Sequence, residues 1–171
     1  MERRWWMMRE VSIYTATTIR GPWKADGWIA YTLEYYPDGK KYPETLTDYE
    51  AVSELTGNRA ALEALIRGIT RIRENCILTI YTDSEYLYQG FAGQENVTRW
   101  IKSGWLTSKG TEVKNADLWK KLVKGLQGNI YQFYLHENNA YMPWMQEELE
   151  ELKDGRATLE IIKNKHKRKG N

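Results

Sequence analysis

The sequence is short of cysteine, proline, histidine and phenylalanine: one, four, two and two of each in 171 residues. A single cysteine, Cys76, excludes an internal disulfide and any cysteine-rich zinc site. It suits an intracellular, reducing compartment, and the expectation is a cytoplasmic protein. No apolar run is long enough to span a membrane. The opening residues 1–10 place arginines before an apolar patch too short for a signal-peptide core, which Arg9 and Glu10 end. Neither sign of charge dominates: 25 Lys and Arg against 23 Asp and Glu leave a net charge of +2, so overall charge does not point to nucleic acid.

What is present is aromatic and unevenly basic. Eight Trp and twelve Tyr exceed what this length needs, and most of them should fill the core. Between Lys163 and Lys169 the run Lys-Asn-Lys-His-Lys-Arg-Lys holds five fixed positive charges and no acid. Such a run reads as a solvated, disordered tail able to attract polyanions. The length fits one domain. Residues 1–155 are read as that domain and 156–171 as a C-terminal extension with a basic tail, in which Leu159, Ile161 and Ile162 can dock.

Val11 to Thr15 and Gly27 to Tyr36 have strand composition. The turn signal Pro37-Asp38-Gly39 leads into a third strand near Thr45–Val52, so the first three strands form a meander. Gly57-Asn58 opens a helix whose apolar face is Leu62, Leu65, Ile66, Ile69 and Ile72. Ile77 to Thr82 is the fourth strand, and Asp83-Ser84 caps a short helix through Phe91. A helical turn spans Val97 to Ile101. Asn115 reads as the N-cap of a helix carrying Leu118, Trp119, Leu122 and Leu126. Ile130 to Leu135 is the fifth strand. Pro143 sits at an expected first helical position, ahead of an apolar stripe of Met145, Leu149 and Leu152. The helix between the third and fourth strands makes a crossover, so part of the sheet is parallel and the class is mixed α/β.

One pattern occurs twice. Residues 80–84 read Ile-Tyr-Thr-Asp-Ser and residues 13–17 read Ile-Tyr-Thr-Ala-Thr. The later copy ends on Asp83, and an acid at the end of a buried strand is costly unless a metal, a partner or solvent meets it. The earlier copy has Ala16 at the matching place. Asp83 marks a site, and Ala16 marks something missing from it.

These segments resemble ribonuclease H of type 1. The resemblance rests on Val-Ser-Ile-Tyr-Thr (11–15), Gly-Asn-Arg-Ala (57–60), Ile-Tyr-Thr-Asp-Ser-Glu-Tyr (80–86), Trp-Ile-Lys-Ser-Gly-Trp (100–105) and Val-Lys-Asn-Ala-Asp-Leu-Trp (113–119). It covers residues 9–153 and implies an RNase H-like fold, a five-stranded mixed sheet with strands four and five parallel to strand one, flanked by helices. It also implies a metal-dependent endonuclease that cuts the RNA strand of RNA–DNA hybrids, using two magnesium (or manganese) ions. Such chemistry needs several carboxylates converging on two hard cations about 4 Å apart.

Carried over residue by residue, the resemblance gives Asp83 as the fourth-strand acid. Ala16 stands in place of the first-strand Asp and Ala61 in place of the helix Glu. Glu63 does not substitute, because two residues along a helix turn a side chain about 200° away. The last-helix acid maps to Glu147, with Glu148 as the alternative. His136 matches a loop histidine associated with product release, although Leu-His-Glu-Asn-Asn lacks the usual glycines. The implied metal ligands are therefore Asp83 and Glu147. With two of four acids gone, metal binding is expected to be weakened and the chain inactive.

Implied nucleic-acid contacts are Asn58 and Arg59 at the helix start, where phosphate is favoured, and Arg99, Lys102, Trp105, Lys109 and Lys114 in a segment like the family's basic protrusion. Asn58 reads equally well as an N-cap, and Trp100 more readily than Trp105 as local core. Three readings stand at this level. One is a nuclease inactivated by two alanines that still holds its hybrid. Another is a natural pseudoenzyme that binds hybrid or double-stranded RNA. The third is a nuclease of this fold with a different substrate, suggested by the less basic protrusion and the atypical histidine loop. A monomer is expected.

Overall fold

The first strand is buried on both of its faces from Ile13 to Thr15, and that sets the architecture. The computed structural model describes residues 8–169; the opening segment 1–7, including its short apolar patch, lies outside the described residues. Strand β1 (Arg9–Thr17) buries Val11 and Ile13 on one face and Tyr14 on the other. Strands β2 (Ala25–Tyr35) and β3 (Glu44–Leu55) continue it as an antiparallel meander. Helix α1 (Gly57–Thr70) then crosses over to β4 (Cys76–Thr82), which pairs with β1 in parallel. The short helices α2 (Glu85–Phe91) and α3 (Asn96–Lys102) and the helix α4 (Ala116–Leu126) precede β5 (Ile130–Leu135), parallel to β4. Helices α5 (Tyr141–Lys153) and α6 (Leu159–Lys169) complete the chain. The sheet order is β3-β2-β1-β4-β5, the mixed sheet expected from the sequence.

Each face of the sheet has its own core. On one side Ile13, Leu78 and Ile80 pack against Leu62 and Leu65 of α1 and Trp119 and Leu122 of α4. On the other, Tyr14, Ala30 and Tyr49 meet the expected α5 stripe of Met145, Leu149 and Leu152. Burying side chains of this size contributes about 1.5–3 kcal/mol each before entropy is counted. Among the described residues no helix is long and apolar enough to cross a membrane.

Several local expectations change. Thr56, not Asn58, caps α1, its side chain accepting from the Arg59 amide at 3.3 Å. Asn115 adopts a left-handed conformation, φ 62°, and makes no side-chain cap. Its side chain is used elsewhere, as described below. Pro143 is the third residue of α5 rather than the first. The basic run is not a loose tail: α6 is helical through it, and Ile162 is fully buried against α5 while Ile161 stays exposed.

The second histidine of the chain is the largest departure. His166 was expected to be solvated, yet its Nε2 lies 2.9 Å from Glu148 Oε2. Its ring also sits 4.8 Å from that of Trp144. Tyr49 donates its hydroxyl hydrogen to the same carboxylate. Burial, followed by that bond to an acid, pushes the Tyr49 phenol far above its ordinary value. Two further ion pairs, Lys163–Asp48 and Lys165–Glu151, both 3.6 Å, hold α6 down.

Candidate active site and nucleic-acid interface

The parallel register of β1 and β4 pairs Tyr14 with Tyr81. Two residues further along each strand come Ala16 and Asp83, so the two echoed segments lie side by side and end at the same level on the same face. An open cavity of about 480 Å³ lies over these strand ends. Ala16, Ala61 from the second turn of α1, Asp83 and His136 all line it. The structure thus brings together four of the five positions that the sequence assigned to catalysis.

The fifth does not join them. The cavity wall contributed by α5 is Met142, Pro143 and Gln146. Glu147 is exposed and outside that wall, and Glu148 is buried on the side facing Tyr49 and α6. The helical period explains the outcome. Glu148 falls in line with the buried Met145 and Leu152, at +3 and −4, whereas Gln146 is about 100° from Met145 and reaches the strand ends. Gln146 donates from Nε2 to the Thr17 carbonyl at 3.3 Å and to Glu150 Oε1 at 3.0 Å.

The loop histidine follows β5 directly. His136 has φ 54°, and its amide donates to the Thr82 carbonyl at 3.1 Å. Nδ1 stands 3.3 Å from Asp83 Oδ1, and both side chains are more than half exposed. Asp83 is therefore the only acid among the four assigned positions that line the cavity, and its near neighbour is an imidazole. Glu137 also borders the cavity, with Arg20, Asn58 and Asn138. Among the described residues no group of three or more His, Cys, Asp or Glu side chains could hold a metal ion. This donor set does not fit the two-cation centre that the fold family implies, because two hard cations require several converging carboxylates.

Arg59, expected to grip a nucleic-acid backbone, is engaged inside the protein. Its guanidinium donates to both carboxylate oxygens of Asp117, at 3.0 and 2.8 Å, and to Asn115 Oδ1 at 3.1 Å. The ion pair raises the guanidinium further and, through the same bonds, holds the Asp117 carboxyl below its ordinary value. Asn115 Nδ2 and Trp119 Nε1 both donate to the Tyr86 hydroxyl, at 3.1 and 2.9 Å. The segment 113–119, the most distinctive of the matching motifs, is thus a brace joining α1, α2 and α4.

The protrusion residues divide in the same way. Trp105 is half-buried, packs with Trp100 against the main core and lies under Lys120. Arg99 folds back onto the Gln94 carbonyl at 2.9 Å. Lys102, Lys109 and Lys114 are exposed. Sequence reasoning passed over Trp23, which is 83% exposed in the loop after Arg20 and Gly21, two residues that line the cavity. Its loop is fixed by the Gly57 amide donating to the Gly21 carbonyl at 2.9 Å. A Cβ at Gly57 would come within 2.9 Å of Gly21 N, so only glycine allows this contact. The flanking Arg20 and Lys24 were the available signal.

Comparison with known proteins agrees with the geometry. A family model described as RNase H matches residues 8–140. A Ribonuclease H of Caldicellulosiruptor saccharolyticus is 36% identical over 126 residues, covering 74% of this chain and 81% of the relative. A Ribonuclease HI of Haemophilus ducreyi is 30% identical over 157 residues, covering 91% and 97%. Among solved structures, LC9-RNase H1, a type 1 RNase H with the type 2 active-site motif, superposes with a TM-score of 0.66 at 20% identity, over 83% of this chain and 70% of that one. LC11-RNase H1, solved with an RNA/DNA hybrid, gives 0.53 at 19% identity, over 81% and 92%. Motif order, strand register and sequence likeness converge, and the chain belongs to the type 1 ribonuclease H family.

Proposed function

We propose that this protein binds RNA–DNA hybrid through the ribonuclease H cavity and does not cleave it. The observation that carries this reading is the cavity lining. Of the positions to which the resemblance assigns acids, Ala16 and Ala61 line the cavity as neutral residues beside Asp83, and α5 lines it with Gln146 while Glu147 lies outside. Cleavage by two cations needs one ion to activate water and another to stabilise the leaving oxygen, and Asp83 would be the one assigned acid in the cavity to hold them. The solved likeness of LC11-RNase H1 with an RNA/DNA hybrid supports the substrate class. All the named walls come from one chain, which suits a monomer. The buried free Cys76 suits a reducing, cytoplasmic setting. Double-stranded RNA, with its related wide minor groove, is the natural competitor to test.

Gln146 favours the pseudoenzyme over a nuclease disabled at two points. Its amide is fitted to Thr17 and Glu150, so the neutral character extends to a third wall. The deciding experiment restores acids in two steps and assays labelled hybrid with magnesium. Ala16→Asp with Ala61→Glu alone should remain at least about a hundredfold below the triple variant that adds Gln146→Asp. Cleavage by the unaltered chain would sink the reading. Full activity of the double variant would restore the two-alanine account.

A further inference from the structure

We infer that nucleic acid binds this cavity without divalent cations, the phosphodiester itself taking the space that the family's cations would occupy. The inference rests on the hybrid-binding reading above and concerns how that site holds its ligand. Three carboxylates converging in one cavity repel phosphate unless cations intervene. Here Ala16 and Ala61 stand where the resemblance places acids, and α5 lines the cavity with the neutral amide of Gln146.

What remains carries less negative charge than a set of three or four converging acids would. Two acids, Asp83 and Glu137, face one fixed cation, Arg20, and the imidazole of His136 stands 3.3 Å from Asp83. Around them are amide donors. Asn139 and Gln146 spend theirs internally, on Glu137 O and Met142 Sδ and on Thr17 O and Glu150. Asn58 and Asn138 make no side-chain hydrogen bond among the described residues, although both border the cavity. Two free carboxamides and a guanidinium form a donor set for phosphate oxygens, not for a metal.

The two modes give opposite signs for one substitution. If a cation bridges Asp83 to the phosphate, Asp83→Asn weakens binding. If phosphate enters directly, Asp83 is a repelling neighbour and Asp83→Asn tightens binding by about threefold, the value for a like charge at ~6 Å in near-bulk dielectric. The test is fluorescence anisotropy of a short labelled RNA–DNA hybrid with the full chain, in magnesium or in chelator, at matched ionic strength. The expected result is a Kd equal within about twofold in the two buffers, tighter for Asp83→Asn, and weaker for Asn58→Asp and Asn138→Asp. A loss of tenfold or more in chelator, or weaker binding by a folded Asp83→Asn, overturns the inference but leaves hybrid binding intact. No binding in either buffer instead overturns the hybrid-binding reading on which it rests. Asp83 is exposed, and circular dichroism verifies that the variants fold.

Discussion

Tyr49→Phe is the perturbation that most directly checks the division of labour on α5. Glu148 is only 8% exposed, and its carboxylate takes a hydrogen bond from Tyr49 and contacts His166 Nε2 at 2.9 and 3.1 Å. Removing the phenol hydroxyl leaves a buried acid one donor short. A hydrogen bond to a charged group contributes about 1.5–3 kcal/mol. In a chain of this size each kcal/mol moves Tm by roughly 2–4 °C, so Tyr49→Phe should lower Tm by about 3–12 °C. The raised phenol pKa keeps the donor protonated across the working range, so the effect should not depend on pH between neutral and mildly alkaline conditions. Thermal unfolding followed by circular dichroism is the assay, with Glu147→Gln as the control. Glu147 is exposed, and its substitution should stay within about 0.5 kcal/mol. An unchanged Tm for Tyr49→Phe would refute the buried-acid account. A Glu147→Gln variant of the acid-restored triple that lost cleavage would return Glu147 to the metal site.

Ile162→Ala removes a fully buried side chain beneath α6 and should cost about 2–5 kcal/mol, measured by urea unfolding. Trp23→Ala should leave Tm within about 1 °C, because the ring is exposed, yet weaken hybrid binding by about fivefold or more through lost stacking, read by anisotropy. The Arg59–Asp117 pair sets an acid limb. The Asp117 pKa is depressed in the fold, so its stabilisation is present above the ordinary carboxylate pKa and lost as pH falls through the lower folded value. The Asp117 side chain is 58% exposed, so solvent screening limits the effect to about 1 kcal/mol or less. Arg59→Gln should flatten that part of the pH–stability curve, as urea midpoints between acidic and neutral pH would show.

The elements that lie in the sequence as periodicity needed no tertiary information. The α5 stripe of Met145, Leu149 and Leu152 and the α1 face of Leu62, Leu65 and Ile69 are buried as their spacing requires. The echo of Ile-Tyr-Thr in two strands becomes a physical alignment through the Tyr14–Tyr81 register. Arg59 shows the opposite case: a cation at a helix start suggests phosphate, but Asp117, 58 residues away, claims it. Nothing local to either residue carries that information.

The sequence by itself determined the fold class, because strand ends, turn residues and helical spacing are local patterns written in consecutive residues, and its motifs carried the resemblance that the family match bears out. Only the tertiary structure decided which α5 side chain faces the strand ends. A choice among neighbouring positions 146, 147 and 148 is a matter of about 100° of helix rotation, and that rotation is fixed by what Met145, Glu148 and Leu152 meet on the sheet and on α6. The same packing turned a basic tail into a docked helix and left Gln146, not Glu147, on the wall of the cavity that Asp83 lines.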